Sequence, residues 1–215
     1  MRAVTVLAVI FLFGLFGARP ASGQQTNPAD PPPEFELTAF LGYRLGGSFD
    51  VEGSGGSVQA NDDLAYGVGL SVRLDETERM GLFYSKQTTT IHSSSGLGRT
   101  GLTVEYFHLD ETAVSEPFLI FTPYLTGALG VTVLSVDAPG SSSDTRFSIA
   151  VGGGLRIPVR PQFDVRLEGR AYMTFINTNS SVFCAPESTG GVCALRTSSS
   201  VFPQYEFLIG AAYTF

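Results

Sequence analysis

The chain has 215 residues, of which 15% are charged and 25 are glycine, and its formal net charge is −7. This length predicts one domain, and the acidic balance argues against nucleic acid as a partner. The charged fraction lies below the roughly 25% of typical soluble globular proteins, so we expect a surface that is not a charged coat.

The first 23 residues have the layout of a secretory signal peptide. Arg2 precedes an apolar run from 4 to 16, and the small residues 21–23 form a processing site. The apolar run is shorter than the ~20 residues that a transmembrane helix needs. Cleavage would leave 11 basic and 20 acidic residues, a formal net charge of −9. Residues 24–34 are rich in proline and lack periodicity, which predicts an extended periplasmic leader.

From residue 35 onwards, apolar residues recur at every second position. This period is the signature of β-strands, because successive side chains point to opposite faces. Two further runs, at about 80–92 and 100–109, alternate less regularly, and the facing of their side chains stays open. No second apolar run is long enough for a membrane helix. The sequence thus predicts eight strands, of which six alternate clearly: 35–45, 64–74, 124–133, 147–157, 163–175 and 204–215.

The predicted connections alternate between long and short. Bacterial outer-membrane barrels have short periplasmic turns and longer external loops. The odd-numbered connections would be external, so both termini are expected on the periplasmic side. The longer connections are 47–62, 93–99, 135–144 and 176–203, and the short ones are 75–79, 110–116 and 158–162.

Cys184 and Cys193 are the two cysteines of the chain, and both lie in the Ser/Gly-rich connection 176–203. In an exported protein such a pair predicts a local disulfide, because the periplasm is oxidising. A metal site would need more ligands, and neither histidine lies nearby in sequence. Long loops in a compact fold are usually functional. An extracellular ligand could therefore bind at the loops 176–203 and 47–62.

Two closed architectures fit these strands, and they bury opposite faces. A soluble lipocalin-like barrel needs a charged outer coat, whereas a membrane barrel turns its apolar face to lipid. The non-apolar positions are mostly Gly, Ala, Ser and Thr, and Lys86 is the only lysine. We therefore predict an all-β, eight-stranded antiparallel up-and-down transmembrane β-barrel over residues 35–215. Aromatic residues at strand ends fit interfacial girdles: Tyr43, Tyr66, Phe163, Phe175, Tyr205, Tyr213 and Phe215.

The inward positions carry charges of both signs. Eight strands enclose a space that side chains just fill, and buried charges should pair. We expect a plugged lumen in which Glu206 lies between the guanidiniums of Arg44 and Arg170, with a narrow channel or porin for small solutes as the alternative. The predicted lumenal ionic network comprises Glu36, Arg44, Arg73, Arg156, Asp164, Arg166, Glu168, Arg170 and Glu206.

Over about 35–215, the chain resembles the small eight-stranded outer-membrane barrels of the OmpA/OmpX-type and opacity-porin-like class. Its end is similar to the signal that the barrel-assembly machinery recognises, here Gly210, Tyr213 and Phe215, although Leu208 stands where that signal often has a polar residue. The segment PYLTGALG at 123–130 also resembles the fifth strand of such proteins. The resemblance implies the outer membrane of a Gram-negative bacterium, with outer-membrane lipid and the assembly machinery as partners. We expect a monomer.

Some barrels of this class are lipid A deacylases, which use a His and a Ser with an acid that orients the His. The sequence offers His92 before Ser93 and Ser94, and His108 two residues before Asp110. Serines are common in turns, and neither histidine has an acid at triad spacing. We expect no catalytic, cofactor-binding or metal site, and a lipid A-modifying enzyme is the second alternative. The predicted role is envelope structure or surface interaction through the external loops.

Overall fold

The computed structural model describes residues 34–50, 57–93, 100–137, 143–176, 182–185, 192–195 and 201–215. The predicted signal peptide and all of the predicted leader except Glu34 lie outside these residues. Within the described ranges, no helix is long and apolar enough to cross a membrane. The regular structure of these ranges consists of strands: β1 (Phe35–Leu45), β2 (Ser48–Asp50), β3 (Ser57–Ala60), β4 (Asp63–Arg73), β5 (Glu78–Ser93), β6 (Thr100–Val114), β7 (Thr122–Asp137), β8 (Asp144–Arg160), β9 (Phe163–Phe175), β10 (Val182–Ala185), β11 (Val192–Leu195) and β12 (Val201–Thr214).

Eight of these strands form a closed antiparallel barrel, as the alternation predicted. In order around the barrel they are β1, β4, β5, β6, β7, β8, β9 and β12, and β12 pairs with β1 to close the sheet. At the closing seam, the amide of Phe35 donates to the carbonyl of Phe215 at 3.0 Å, and the amide of Phe215 donates back at 2.9 Å. We call the end of the barrel that contains this seam contact the turn end, and the opposite end the loop end.

The strands are staggered around the barrel. Following the cross-strand partners of Phe35 once around all eight strands leads back to β1 at Leu45, ten residues further along. With a rise of ~3.3 Å per residue and a strand spacing of ~4.8 Å, this stagger corresponds to a strand tilt of about 40°. The stagger also fixes the relative height of residues on different strands.

The outer face of the barrel is apolar and the inner face is largely polar. Burial alternates residue by residue along β1 and β12, and most apolar residues of both strands point outward, as predicted, whereas Phe40, Phe202 and Leu208 are buried on the inward face. Large apolar side chains are exposed on the other barrel strands too, among them Leu70, Leu82, Leu109, Leu129, Val151 and Leu167. Such a face is stable where lipid or detergent covers it.

Strands β5 and β6, whose facing the sequence left open, mix the two classes of side chain. The inward positions of β6 include Leu102, Val104 and Tyr106, which are all buried. On the outside, Lys86 of β5 and Glu105 of β6 are cross-strand partners and form an ion pair at 3.5 Å. Apolar residues inside and charged residues outside explain why the alternation of these two segments is weak.

Several connections differ from the prediction: the one expected at 75–79 lies at 74–77, and the one expected at 158–162 lies at 161–162. The connection expected at 110–116 lies at 115–121, because β6 continues through Val114 and its partners on β5 and β7 continue with it. The long connection 47–62 contains β2 and β3, which pair with each other, and β3 pairs with the loop end of β5. The sheet therefore extends past the barrel wall at the loop end.

The connection 176–203 contains the hairpin of β10 and β11. The register of this hairpin places Cys184 directly opposite Cys193. The disulfide between them stays a prediction, since the structure describes the backbone of this hairpin and not its side chains.

Candidate functional site in the barrel lumen

Charged side chains fill the described lumen in three groups, one above the other. The turn-end group surrounds the carboxylate of Glu36, which is fully buried. Arg156 Nη2 lies 2.9 Å from this carboxylate and Arg79 Nη1 lies 3.7 Å from it, and Arg166 donates a hydrogen bond to it. Arg156 also donates from Nε to Asp164 at 2.6 Å. Three guanidiniums therefore share one buried carboxylate.

The middle group is centred on Arg170. Its Nη2 donates to Asp110 at 2.7 Å, and its Nε donates to Glu168. The hydroxyl of Tyr124 donates to the other oxygen of Glu168 at 2.7 Å. The guanidinium also lies 3.7 Å from the centre of the Phe83 ring, at a distance typical of cation–π contacts.

The loop-end group is built around Arg44 and Glu206, whose side chains are both fully buried and lie 3.2 Å apart. The carboxylate of Glu206 also accepts hydrogen bonds from Ser85 at 3.1 Å and from the hydroxyl of Tyr172. The rings of Tyr106 and Tyr172 stack at 4.1 Å, and the guanidinium of Arg44 lies over Tyr106 at 4.7 Å. The charges of this group are therefore paired and enclosed by aromatic rings.

The expectation that Glu206 would lie between two guanidiniums was wrong for Arg170. The register does make both Arg44 and Arg170 cross-strand partners of Glu206. The guanidinium of Arg170 instead contacts two carboxylates on its other side, those of Asp110 and Glu168. Two close anions attract a cation more strongly than one anion that is already paired.

Of the predicted network, the structure places Arg73 at the turn-end mouth. Its side chain is 46% exposed and pairs with Glu34 at 2.8 Å. Two charged residues that sequence reasoning missed, Arg79 and Asp110, are buried in the lumen. Both were expected in connections, at 75–79 and 110–116, whereas the structure places them on β5 and β6. Arg79 is the cross-strand partner of Arg73 in the β4–β5 hairpin, and directly opposed residues share a face of the sheet. Because Arg73 was predicted to face inward, this pairing would have placed Arg79 on the inward face too.

A small cavity lies between the turn-end and middle groups. It has a volume of about 30 Å³, and four of the charged residues around it have buried polar atoms without a hydrogen-bond partner among the described protein atoms: Arg79 Nη1, Asp110 Oδ1, Arg166 Nε and Arg170 Nη1. This space and these donors and acceptors suit a buried water molecule.

His108 does not form a catalytic triad with the residues that the structure describes. His108 Nε2 lies 2.8 Å from the Ser148 hydroxyl inside the lumen, and Asp110 contacts Arg170 instead of this imidazole. The side chain of His92, at the loop end of β5, lies outside the described residues. Within the described part of the chain, no group of three or more His, Cys, Asp and Glu residues is placed to hold a metal ion.

Of the predicted assembly signal, Gly210 and Tyr213 lie on the turn-end half of β12, and Phe215 directly follows this strand. Gly210 faces the lumen, where an added Cβ would lie 2.7 Å from the Phe40 ring. Tyr213 and Phe215 are exposed on the outer face, and the Phe215 ring stacks on Phe35 and Tyr213 at 6.1 and 6.3 Å. The structure shows where these side chains lie, and their recognition stays a prediction.

No family model matches the chain, and no curated protein sequence matches it. The crystal structure of Neisserial surface protein A (NspA) is similar, with 18% identity, 84% of this chain and 97% of that chain covered, and a TM-score of 0.55. The solid-state NMR structure of outer membrane protein AlkL has 13% identity, covers 89% and 96%, and has a TM-score of 0.58.

The crystal structure of the outer membrane protein OprG from Pseudomonas aeruginosa is also similar, with 14% identity, coverage of 85% and 95%, and a TM-score of 0.50. At these identities the similarity concerns the fold. The chain has the fold of the small eight-stranded outer-membrane β-barrels.

Proposed function

We propose that the chain is a barrel of the outer membrane of a Gram-negative bacterium, with a closed lumen, and that it serves envelope structure or surface interaction through its loop end. Support for the membrane location comes from the apolar outer face and from the fold shared with outer-membrane proteins. The aromatic residues Tyr43, Tyr66 and Tyr205 near the loop end, and Phe35 and Tyr213 near the turn end, are all exposed. They fit two interfacial girdles.

The proposed orientation puts the turn end in the periplasm. The connections at this end are short, whereas the loop end carries the two longest connections and the strands β2, β3, β10 and β11. Periplasmic turns are short and external loops are long in bacterial barrels. Any extracellular ligand would therefore meet the connections 47–62 and 176–203.

The main support for a closed lumen is that Arg44 and Glu206 are both fully buried and are paired with each other. The turn-end and middle groups repeat this pairing below them, so three layers of charged side chains lie across the described lumen. Unpaired charges in a membrane mark conduction paths, whereas these charges are compensated. A narrow channel stays the alternative, and a lipid A-modifying enzyme is the second.

Planar bilayer recordings test the proposal. The parent protein should show no steady conductance under conditions in which a sixteen-stranded porin conducts. A reproducible current that is lost on Arg44→Gln or Arg170→Gln would contradict the closed lumen and favour the channel. The same preparation should release no acyl chains from lipid A, and release that is lost on His92→Ala would favour the enzyme.

A further inference from the structure

The connection between β6 and β7 ends in an apolar turn at the turn end of the barrel. Its residues are Phe118, Leu119, Ile120 and Phe121, and the first three are 61%, 82% and 75% exposed. The turn is well formed, because the amide of Phe118 donates to the carbonyl of Phe121 at 2.8 Å and the return hydrogen bond measures 3.2 Å. Four consecutive apolar residues in a turn that nothing in the described chain covers need an explanation.

The backbone conformation of this turn is also unusual. Leu119 has a φ of 57°, and it is the only non-glycine residue with a positive φ in the described chain. Turn positions of this kind favour Gly, Asn or Asp, because a Cβ is strained there. Leucine at this position is unfavourable for the backbone, so its apolar side chain must be useful in another way.

A second turn at the same end of the barrel shows what a solvated turn looks like in this protein. The turn at 74–77 has three exposed polar residues, 75–77, after the exposed Leu74, and Asp75 Oδ1 accepts hydrogen bonds from the amides of Thr77 at 2.7 Å and Glu78 at 2.8 Å. This turn satisfies its own backbone and needs no cover. The apolar character of the 118–121 turn is therefore not a property of that end of the barrel in general.

The position of the apolar turn along the barrel axis indicates what covers it. Following the cross-strand partners of Phe35 halfway around the barrel leads to Gly127 on β7. Half of the ten-residue stagger is five residues, so Gly127 lies five residues closer to the loop end than Phe35 does. Phe35 is therefore level with Thr122, five residues before Gly127. The tip of the turn lies two to three residues beyond this level, about 5–8 Å lower along the barrel axis. The headgroup layer of a bilayer is about as thick as this distance.

We propose that the turn 118–121 inserts its apolar side chains into the headgroup layer of the periplasmic leaflet. The inference rests on the proposed membrane location of the barrel. The turn continues the lipid-facing surface, since Leu125, an outward residue of β7 above it, is 68% exposed. A lipid surface covers all of Phe118, Leu119 and Ile120 at once and offsets the unfavourable backbone of Leu119. The anchor lies on one side of the barrel and sets its depth in the membrane.

Single-tryptophan variants test this proposal, because the chain has no tryptophan of its own. Ile120→Trp reports the tip of the apolar turn, and Glu76→Trp reports the polar turn at the same end. Leu129→Trp reports the outer belt, and Phe118→Trp replaces the first variant if Ile120→Trp does not fold. Each protein is reconstituted in vesicles of phosphatidylethanolamine and phosphatidylglycerol, with and without acyl-chain bromination, and is also titrated with aqueous acrylamide.

Ile120→Trp should be quenched by brominated lipid, should emit to the blue of Glu76→Trp, and should be several-fold less sensitive to acrylamide. Equal acrylamide sensitivity of the two turns, with Leu129→Trp quenched by lipid, would overturn the anchor and leave the membrane location intact. Absence of lipid quenching for Leu129→Trp would contradict the membrane location itself. Shielding of Ile120→Trp that grows with the protein-to-lipid ratio, without lipid quenching, would show that a second copy covers the turn and would also overturn the proposal.

Discussion

Replacing Glu206 by glutamine should destabilise the barrel by several kcal/mol, because it removes the anion that neutralises Arg44. Both side chains are fully buried, and 3.2 Å separates Arg44 Nη2 from Glu206 Oε1. Removing one partner of a buried ion pair typically costs about 3–5 kcal/mol. The carboxylate also accepts hydrogen bonds from Ser85 and Tyr172, whereas an amide has one acceptor oxygen. The expected loss therefore lies in this range.

Arg44→Gln should cost less than Glu206→Gln. The carboxylate that it leaves behind keeps the hydroxyl donors of Ser85 and Tyr172. A guanidinium has only hydrogen-bond donors and stays charged, so Glu206→Gln leaves Arg44 without the anion that it contacts in the parent. The double variant leaves neither charge alone, so its cost should fall about 0.5–3 kcal/mol below the sum of the single costs.

Urea unfolding in detergent micelles, followed by far-UV circular dichroism, measures these free energies. Glu76→Gln removes the same charge from an exposed turn and should unfold within about 0.5 kcal/mol of the parent. Unfolding of Glu206→Gln at the parent's urea concentration would refute the reasoning. So would a double variant whose cost equals the sum of the two single costs.

Three further changes probe other parts of the barrel. Gly130→Ala should block folding, because the added Cβ would lie 2.0 Å from a backbone oxygen. Gly127→Ala should fold, because no atom lies within 4 Å of the added Cβ. Equal yields of folded barrel for the two variants would contradict this contrast. Phe215→Ala should cost only about 1–2 kcal/mol in micelles, since the ring is 61% exposed. In cells it should sharply reduce the amount of assembled protein on blots, and normal assembly would count against the recognition signal. Cys184 and Cys193 should react with maleimide only after reduction, and labelling without reductant would exclude the disulfide.

The fold was predictable because outward residues must be apolar in contact with lipid, which makes the period-two alternation of the strands strong. Along β1, the outward residues from Phe35 to Tyr43 must be compatible with lipid, whereas Glu36 and Arg44 on the other face must point into the lumen. This strict separation fixes both the strand and its facing. The pattern also predicted the number of strands, since six clear runs and two weaker ones give an even count, as a closed antiparallel barrel requires.

The period-two pattern is weak where a strand carries charged residues on its outer face or apolar residues on its inner face. Lys86 and Glu105 compensate each other on the outer face, and Tyr106 stacks on Tyr172 in the lumen. Neither arrangement separates polar from apolar positions along β5 or β6, so periodicity could not give their facing. Arg79 and Asp110 were missed because β5 and β6 continue into the segments that were expected to be connections, 75–79 and 110–116.

The partner of Arg170 could not be predicted from the register. Register fixes which backbones are adjacent, and it correctly places Arg170 beside Glu206. A long side chain reaches across the lumen, however, and Asp110 on β6 meets the guanidinium from the far side. That contact depends on the closed geometry of the whole barrel. Adjacent positions in a sheet therefore predict candidate partners, and the network decides between them.

We propose above all that the chain forms a closed barrel in the outer membrane. Fractionation of cells that produce the protein, followed by gel electrophoresis of heated and unheated samples, tests both halves of this claim. We expect recovery with the outer membrane and a migration that changes on heating, because a closed barrel keeps its hydrogen bonds in lipid and detergent. Recovery as a soluble periplasmic protein, with a migration that heating does not change, would contradict it.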